Sequence, residues 1–108
     1  MLLRHALFTL MALIAAGNSA AENLHFVTEE FPPFSYSRGA IASGALPEIV
    51  EATCAILKWQ CQIEVLPWRR ALQQAEDGAV EGIFTVIQSP ARRQAFLITP
   101  MLVSSGYD

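Results

Sequence analysis

An α/β fold is predicted, a three-layer βαβαβ arrangement in which a parallel sheet is flanked by helices. Two observations predict it. Short runs rich in β-branched and aromatic residues alternate with stretches whose apolar residues recur at helical spacing. Strands that follow one another through helices also join by right-handed crossovers, which makes their sheet parallel.

The elements follow in chain order. Leu24 to Thr28 reads as the first strand, and Glu29-Glu30-Phe31-Pro32-Pro33-Phe34 after it forms a rigid loop, because two prolines forbid continuation. Ser35 to Gly44 is turn-rich, carrying Ser37, Gly39, Ser43 and Gly44. Leu46, Ile49, Val50, Thr53, Cys54 and Leu57 then repeat at the spacing of an amphipathic helix packed on one side. Cys61 to Leu66 is a second strand, with Ile63 and Val65 alternating against Gln62 and Glu64. Pro67 suits the first turn of a second helix, whose apolar face is Trp68, Ala71, Leu72 and Ala75 and which ends at Asp77-Gly78. Val80 to Val86 reads as a third strand, its Ile83-Phe84 centre suggesting burial on both faces. Ser89 and Pro90 open a short helix as cap and first residue.

In open parallel sheets a ligand lies beyond the carboxyl ends of the strands, where strand order reverses. That rule selects the loop from Glu29 to Tyr36 and the loop from Thr85 to Arg92. The turn with Trp68 and Arg69 lies on the same edge.

Charge and length narrow the function classes. The chain has 108 residues, seven Lys or Arg and ten Asp or Glu; of these only Arg4 falls in the first 21 positions. The rest is therefore mildly acidic, which excludes a basic stripe for nucleic acid. Its length leaves room for one small domain, residues 22 to 108. Residues 1 to 21 have the form of a cleavable signal peptide: Arg4, an apolar run from Ala6 to Ala16, and small residues at Ser19 and Ala21 before Glu22. The run is about half of what a bilayer span needs, so export to the periplasm without stable membrane insertion is expected.

Export permits the two cysteines to pair. Cys54 falls late in the first helix and Cys61 opens the next strand, so the intervening reversal can bring them within bonding distance. Two buried free thiols are the alternative reading, and a metal site would need ligands beyond two thiols and the isolated His25. No metal and no cofactor is expected.

Leu24-His25-Phe26-Val27-Thr28 followed by Phe31-Pro32-Pro33-Phe34 resembles the opening of family 3 periplasmic solute-binding proteins, the receptors of polar amino acid ABC importers. The resemblance continues in order through Gly44 and the first helix, the Cys54 and Cys61 pair, Leu66-Pro67-Trp68-Arg69-Arg70-Ala71-Leu72, Gly78 to Phe84, and Ser89-Pro90-Ala91-Arg92. It implies a type II periplasmic-binding-protein-like lobe and a clamshell that closes on a small polar solute, an amino acid or organic acid. An importer permease would be the partner, and a monomer is expected.

The resemblance also implies roles for matching positions. Arg92 takes the place of the arginine that binds a ligand carboxylate, which suits a planar fork of donors beside a helix start. A solvated surface arginine is its bland reading, as for Arg93. Phe31 and Trp68 match aromatic positions that sandwich the solute, against ordinary core packing, which is the reading preferred for Phe34. Thr85 matches a hydroxyl that helps hold an ammonium and Glu29 an acidic group above it; either could instead cap a strand end.

Departures bear on the ligand. Ile87 stands where many amino-acid binders have a small hydroxyl residue, and Ala91 replaces a common glutamate. The segment around Ile98 to Met101 looks one residue shorter than usual, and Pro67-Trp68-Arg69-Arg70 is typical of a broad branch, leaving a peptide-like solute open. Family members usually continue well over a hundred residues further, so this chain is expected to be the first portion of lobe 1, without the second lobe. Such a fragment should bind at millimolar strength or worse. Two other classes compete with the transport receptor. One is a clamshell enzyme, as in a periplasmic dehydratase or lytic transglycosylases, which would need an acid or base pair not evident here. The other is a sensory module of a membrane kinase or cyclase.

Overall fold

A computed structural model describes residues 22–104. The expected signal peptide, residues 1 to 21, lies outside the described residues. Strand β1 (Asn23–Thr28) is followed by a hairpin of β2 (Tyr36–Arg38) and β3 (Ile41–Ser43), then α1 (Ala45–Leu57), β4 (Gln60–Val65), α2 (Trp68–Glu76), β5 (Gly82–Ile83) and α3 (Pro90–Ala95).

The sheet has the order β4-β1-β5. Both pairings are parallel, from Asn23 opposite Gln60 to Thr28 opposite Val65 on one side, and Phe26 opposite Gly82 with Val27 opposite Ile83 on the other. The chain thus steps from β1 to one neighbour and then back past β1 to the other. Right-handed crossovers place α1 and α2 on opposite faces in such an order, and the side chains agree. Leu24, Phe26 and Thr28 share a face with their partners Cys61, Ile63 and Val65, and Cys61 is tied to α1 through a disulfide to Cys54 with a Cα separation of 6.3 Å. On the other face Val27 packs with Leu66, Ala71 of α2, Val80 and Ile83. Gln62 and Glu64 of β4 stay exposed there, which leaves α2 seated over β1 and β5.

Helix α1 buries less of its apolar repeat than its periodicity suggests. Pro47 and Cys54 are buried and Leu46 and Val50 half-buried, whereas Ile49, Thr53 and Leu57 are exposed. Its start rests on Gly44, whose φ of 112° only glycine adopts readily. There the Leu46 N–H donates to the carbonyl of Phe34 at 2.9 Å, fastening the helix to the proline loop. Its end is a left-handed residue, Lys58, followed by a Trp59 N–H to Cys54 O bond of 2.9 Å.

Three readings from periodicity are corrected. Pro67 is the cap of α2 and Trp68 its first residue. The turn-rich segment holds the β2–β3 hairpin, closed by Gly39-Ala40 with Gly39 at φ 62°; a primed two-residue turn takes glycine at that first central position. The third strand is shorter than Val80 to Val86. Its ladder covers Gly82 and Ile83, extended by hydrogen bonds from Glu81 N to His25 O and from Phe84 N to Val27 O. Thr85, at φ 65°, then turns the backbone out of the extended region. Ile83 and Phe84 are half-buried, on opposite faces of an edge strand.

Candidate functional site

The carboxyl ends of β1, β4 and β5 meet along one edge, and most of the residues singled out from sequence sit there. β1 delivers Glu29, β4 leads through Leu66 and Pro67 to Trp68 at the start of α2, and β5 leads to Thr85. Glu29, Glu30, Ser37, Val65, Leu66, Pro67 and Trp68 line an open groove of about 280 Å³.

Arg92 reaches this edge from α3. Ser89 caps the helix by accepting the Arg92 backbone N–H at 3.2 Å, with Pro90 as the first helical residue. The guanidinium donates through one terminal nitrogen to the Ile87 carbonyl at 2.6 Å. Its central carbon lies 5.4 Å from the Trp68 ring centroid, a cation–π contact worth about 0.5–2 kcal/mol depending on desolvation. A guanidinium has five N–H donors in a fork, so the carbonyl bond leaves donors to spare. Arg93 is exposed and donates to Gln88 Oε1 at 2.9 Å.

Glu29, Trp68 and Arg92 therefore come together. Burial of the Glu29 carboxyl raises its pKa above the ordinary glutamate value, and the nearby positive charge of Arg92 pulls it partly back. The sign follows from linkage: the folded state holds the Glu29 proton more tightly than the unfolded state, so stability falls as pH rises through the raised pKa. Glu29→Gln is expected to melt at or above the parent temperature at neutral pH. The difference should vanish below about pH 4, where both states carry the proton. Thermal melts over that pH range check this, and a variant less stable at neutral pH would contradict it.

The other two candidates have different surroundings. Phe31 opens a tight turn in which its carbonyl accepts the N–H groups of Phe34 and Ser35 at 2.9 and 3.0 Å. Its ring stacks on Phe34 with centroids 5.5 Å apart. Phe34 is half-buried rather than a core residue. Thr85 points back into the protein, its Oγ1 against the Phe84 carbonyl and 3.0 Å from Thr28 Oγ1.

Two residues beneath the site were missed by sequence reasoning. Thr28 and Ser35 are both fully buried. Thr28 Oγ1 is 3.2 Å from Ser35 Oγ and 3.3 Å from the Phe84 carbonyl, while Ser35 Oγ donates to the Glu29 carbonyl at 2.8 Å. No sequence signal marks them, since Thr28 ends a strand and Ser35 opens a turn-rich segment, places where a hydroxyl residue is ordinary.

A family model described as bacterial extracellular solute-binding proteins, family 3, matches residues 24–107. No curated protein matches the chain.

Proposed function

The chain belongs to family 3 of the bacterial extracellular solute-binding proteins, and from that premise we propose that it captures a small polar solute bearing a carboxylate, an amino acid or organic acid, for an ABC importer. Solute binding is the business of the family; the acid group and the importer are the proposal. The single observation that supports it most is Arg92, held across the face of Trp68 with most of its donor fork unspent.

In this reading Arg92 takes the acid group and the Trp68 ring covers the apolar body of the solute. Glu29 receives an ammonium or hydroxyl, the turn at Thr85 carries the loop that tethers Arg92, and Phe31 borders the entrance. No bond is made or broken: the solute is taken up, held and released. The signal peptide over residues 1 to 21 belongs to the same proposal, since a receptor of this kind works on the far side of the inner membrane.

One charge-assisted hydrogen bond contributes about 1.5–3 kcal/mol, and stacking adds a similar amount before association costs are met. Micromolar affinity requires about 8 kcal/mol. The groove alone should therefore hold its solute at millimolar strength. The test is an NMR titration following the Trp68 indole, with amino acids, dicarboxylates and amines that lack a carboxylate. Carboxylate compounds are expected to shift the Trp68 signal at millimolar concentration, and Arg92→Ala should weaken them about tenfold or more, the loss of at least 1.4 kcal/mol. Equal binding of the carboxylate-free amines, or an unchanged Arg92→Ala titration, would overturn the assignment.

A further inference from the structure

We propose that Thr28 and Ser35 are positioning residues that hold Arg92 over Trp68, acting through Thr85; the use of that posture rests on the solute-binding reading above. Counting protons makes the case. A hydroxyl has one proton to donate. That of Ser35 is spent on the Glu29 carbonyl at 2.8 Å, so Ser35 Oγ can only accept from Thr28. Thr28 Oγ1 sits 3.2 Å from Ser35 Oγ and 3.0 Å from Thr85 Oγ1. Thr28 therefore clasps the loop after β1 to the loop after β5 by donating to Ser35 Oγ and accepting from Thr85 Oγ1. Both Thr28 and Ser35 are at 0% exposure, so water cannot stand in for either hydroxyl.

What the clasp holds is a strained turn. Thr85 is β-branched and sits at φ 65°, a region such residues avoid and keep only when the surroundings impose it. That turn carries the chain out of β5 and brings the Ile87 carbonyl to Arg92, which donates to it at 2.6 Å. The guanidinium thereby stays 5.4 Å from the Trp68 ring centroid. Relaxing Thr85 toward an ordinary backbone conformation removes the carbonyl that tethers Arg92.

The experiment needs no solute. The indole ring current moves the Arg92 side-chain proton signals upfield, and NMR of the full chain reads that shift, assigned by its loss in Trp68→Leu. Thr28→Val keeps the shape and removes the hydroxyl; the Arg92 shift should fall to half or less of its parent value. Thr28→Ser, which restores the hydroxyl, should retain it. Ile83→Val, which loosens the same sheet without touching the clasp, should also retain it. If Thr28→Val does not fold, Ser35→Ala is read in its place, with the same loss expected. A full Arg92 shift in folded Thr28→Val or Ser35→Ala would overturn the proposal, as would its loss in Ile83→Val. A failed solute titration with these shifts as expected sinks the solute assignment and leaves the clasp intact.

Discussion

Gly44→Ala will cost about 3 kcal/mol or more and lower the melting temperature by roughly 15 °C. Two effects add. At φ 112° and ψ 178° the backbone occupies a region that is essentially reserved for glycine, where another residue costs about 1–3 kcal/mol. A Cβ there would also stand 2.7 Å from the Phe34 carbonyl oxygen and 2.8 Å from that of Pro33. Both obstacles are backbone, and the Phe34 oxygen already receives the Leu46 N–H, so neither can yield without pulling α1 from the proline loop. For a domain of this size about 1 kcal/mol corresponds to 4–8 °C. Gly39→Ala is the comparison, because Gly39 has a positive φ but open space around its would-be Cβ. It should lose only about 1 kcal/mol. Circular-dichroism melts of the two variants decide: a Gly44→Ala protein no less stable than Gly39→Ala would show that the close approach to the loop does not matter.

Removing the disulfide should have nearly as large an effect. Cys54 and Cys61 are seven positions apart, and their bond joins α1 to edge strand β4 across the turn containing Trp59. The loop-entropy account gives about 2.5 kcal/mol for so short a closure, against a total of roughly 5–10 kcal/mol for a domain this small. Cys54→Ala with Cys61→Ala should lower the melting temperature by about 10–20 °C, and dithiothreitol should do the same to the parent. A parent and double variant that melt together, with and without reductant, would contradict it.

The parts legible in the sequence are those with room for a period to repeat. β1, α1, β4 and α2 were bounded to within a residue or two, since each spans at least six residues with a breaker or cap at its ends. Hairpin strands of three residues hold no period, so Tyr36–Arg38 and Ile41–Ser43 passed for loop although Gly39 marked the turn. The early end of β5 was hidden for a different reason: threonine ordinarily favours strand, and only tertiary hydrogen bonds show why Thr85 leaves it. At the site, the ligand-edge rule for parallel sheets and the family resemblance pointed to Glu29, Trp68 and Arg92 together. The ring face as the seat of the guanidinium is a matter of side-chain conformation, which spacing does not carry. Thr28 and Ser35 stayed invisible because a buried hydroxyl and a solvated one read alike in sequence.

The order β4-β1-β5 has a consequence for the speed of assembly. β1 emerges first and lies in the middle, yet its partners are remote in the chain: Asn23 waits for Gln60, and Phe26 for Gly82. At about 5–20 residues per second the ribosome needs on the order of 3–12 s to supply the far edge. Contacts so distant along the chain also slow the search for them. The Phe26-Val27 strand thus waits with both edges bare until β4 has been made, and with the β5 side bare for longer still.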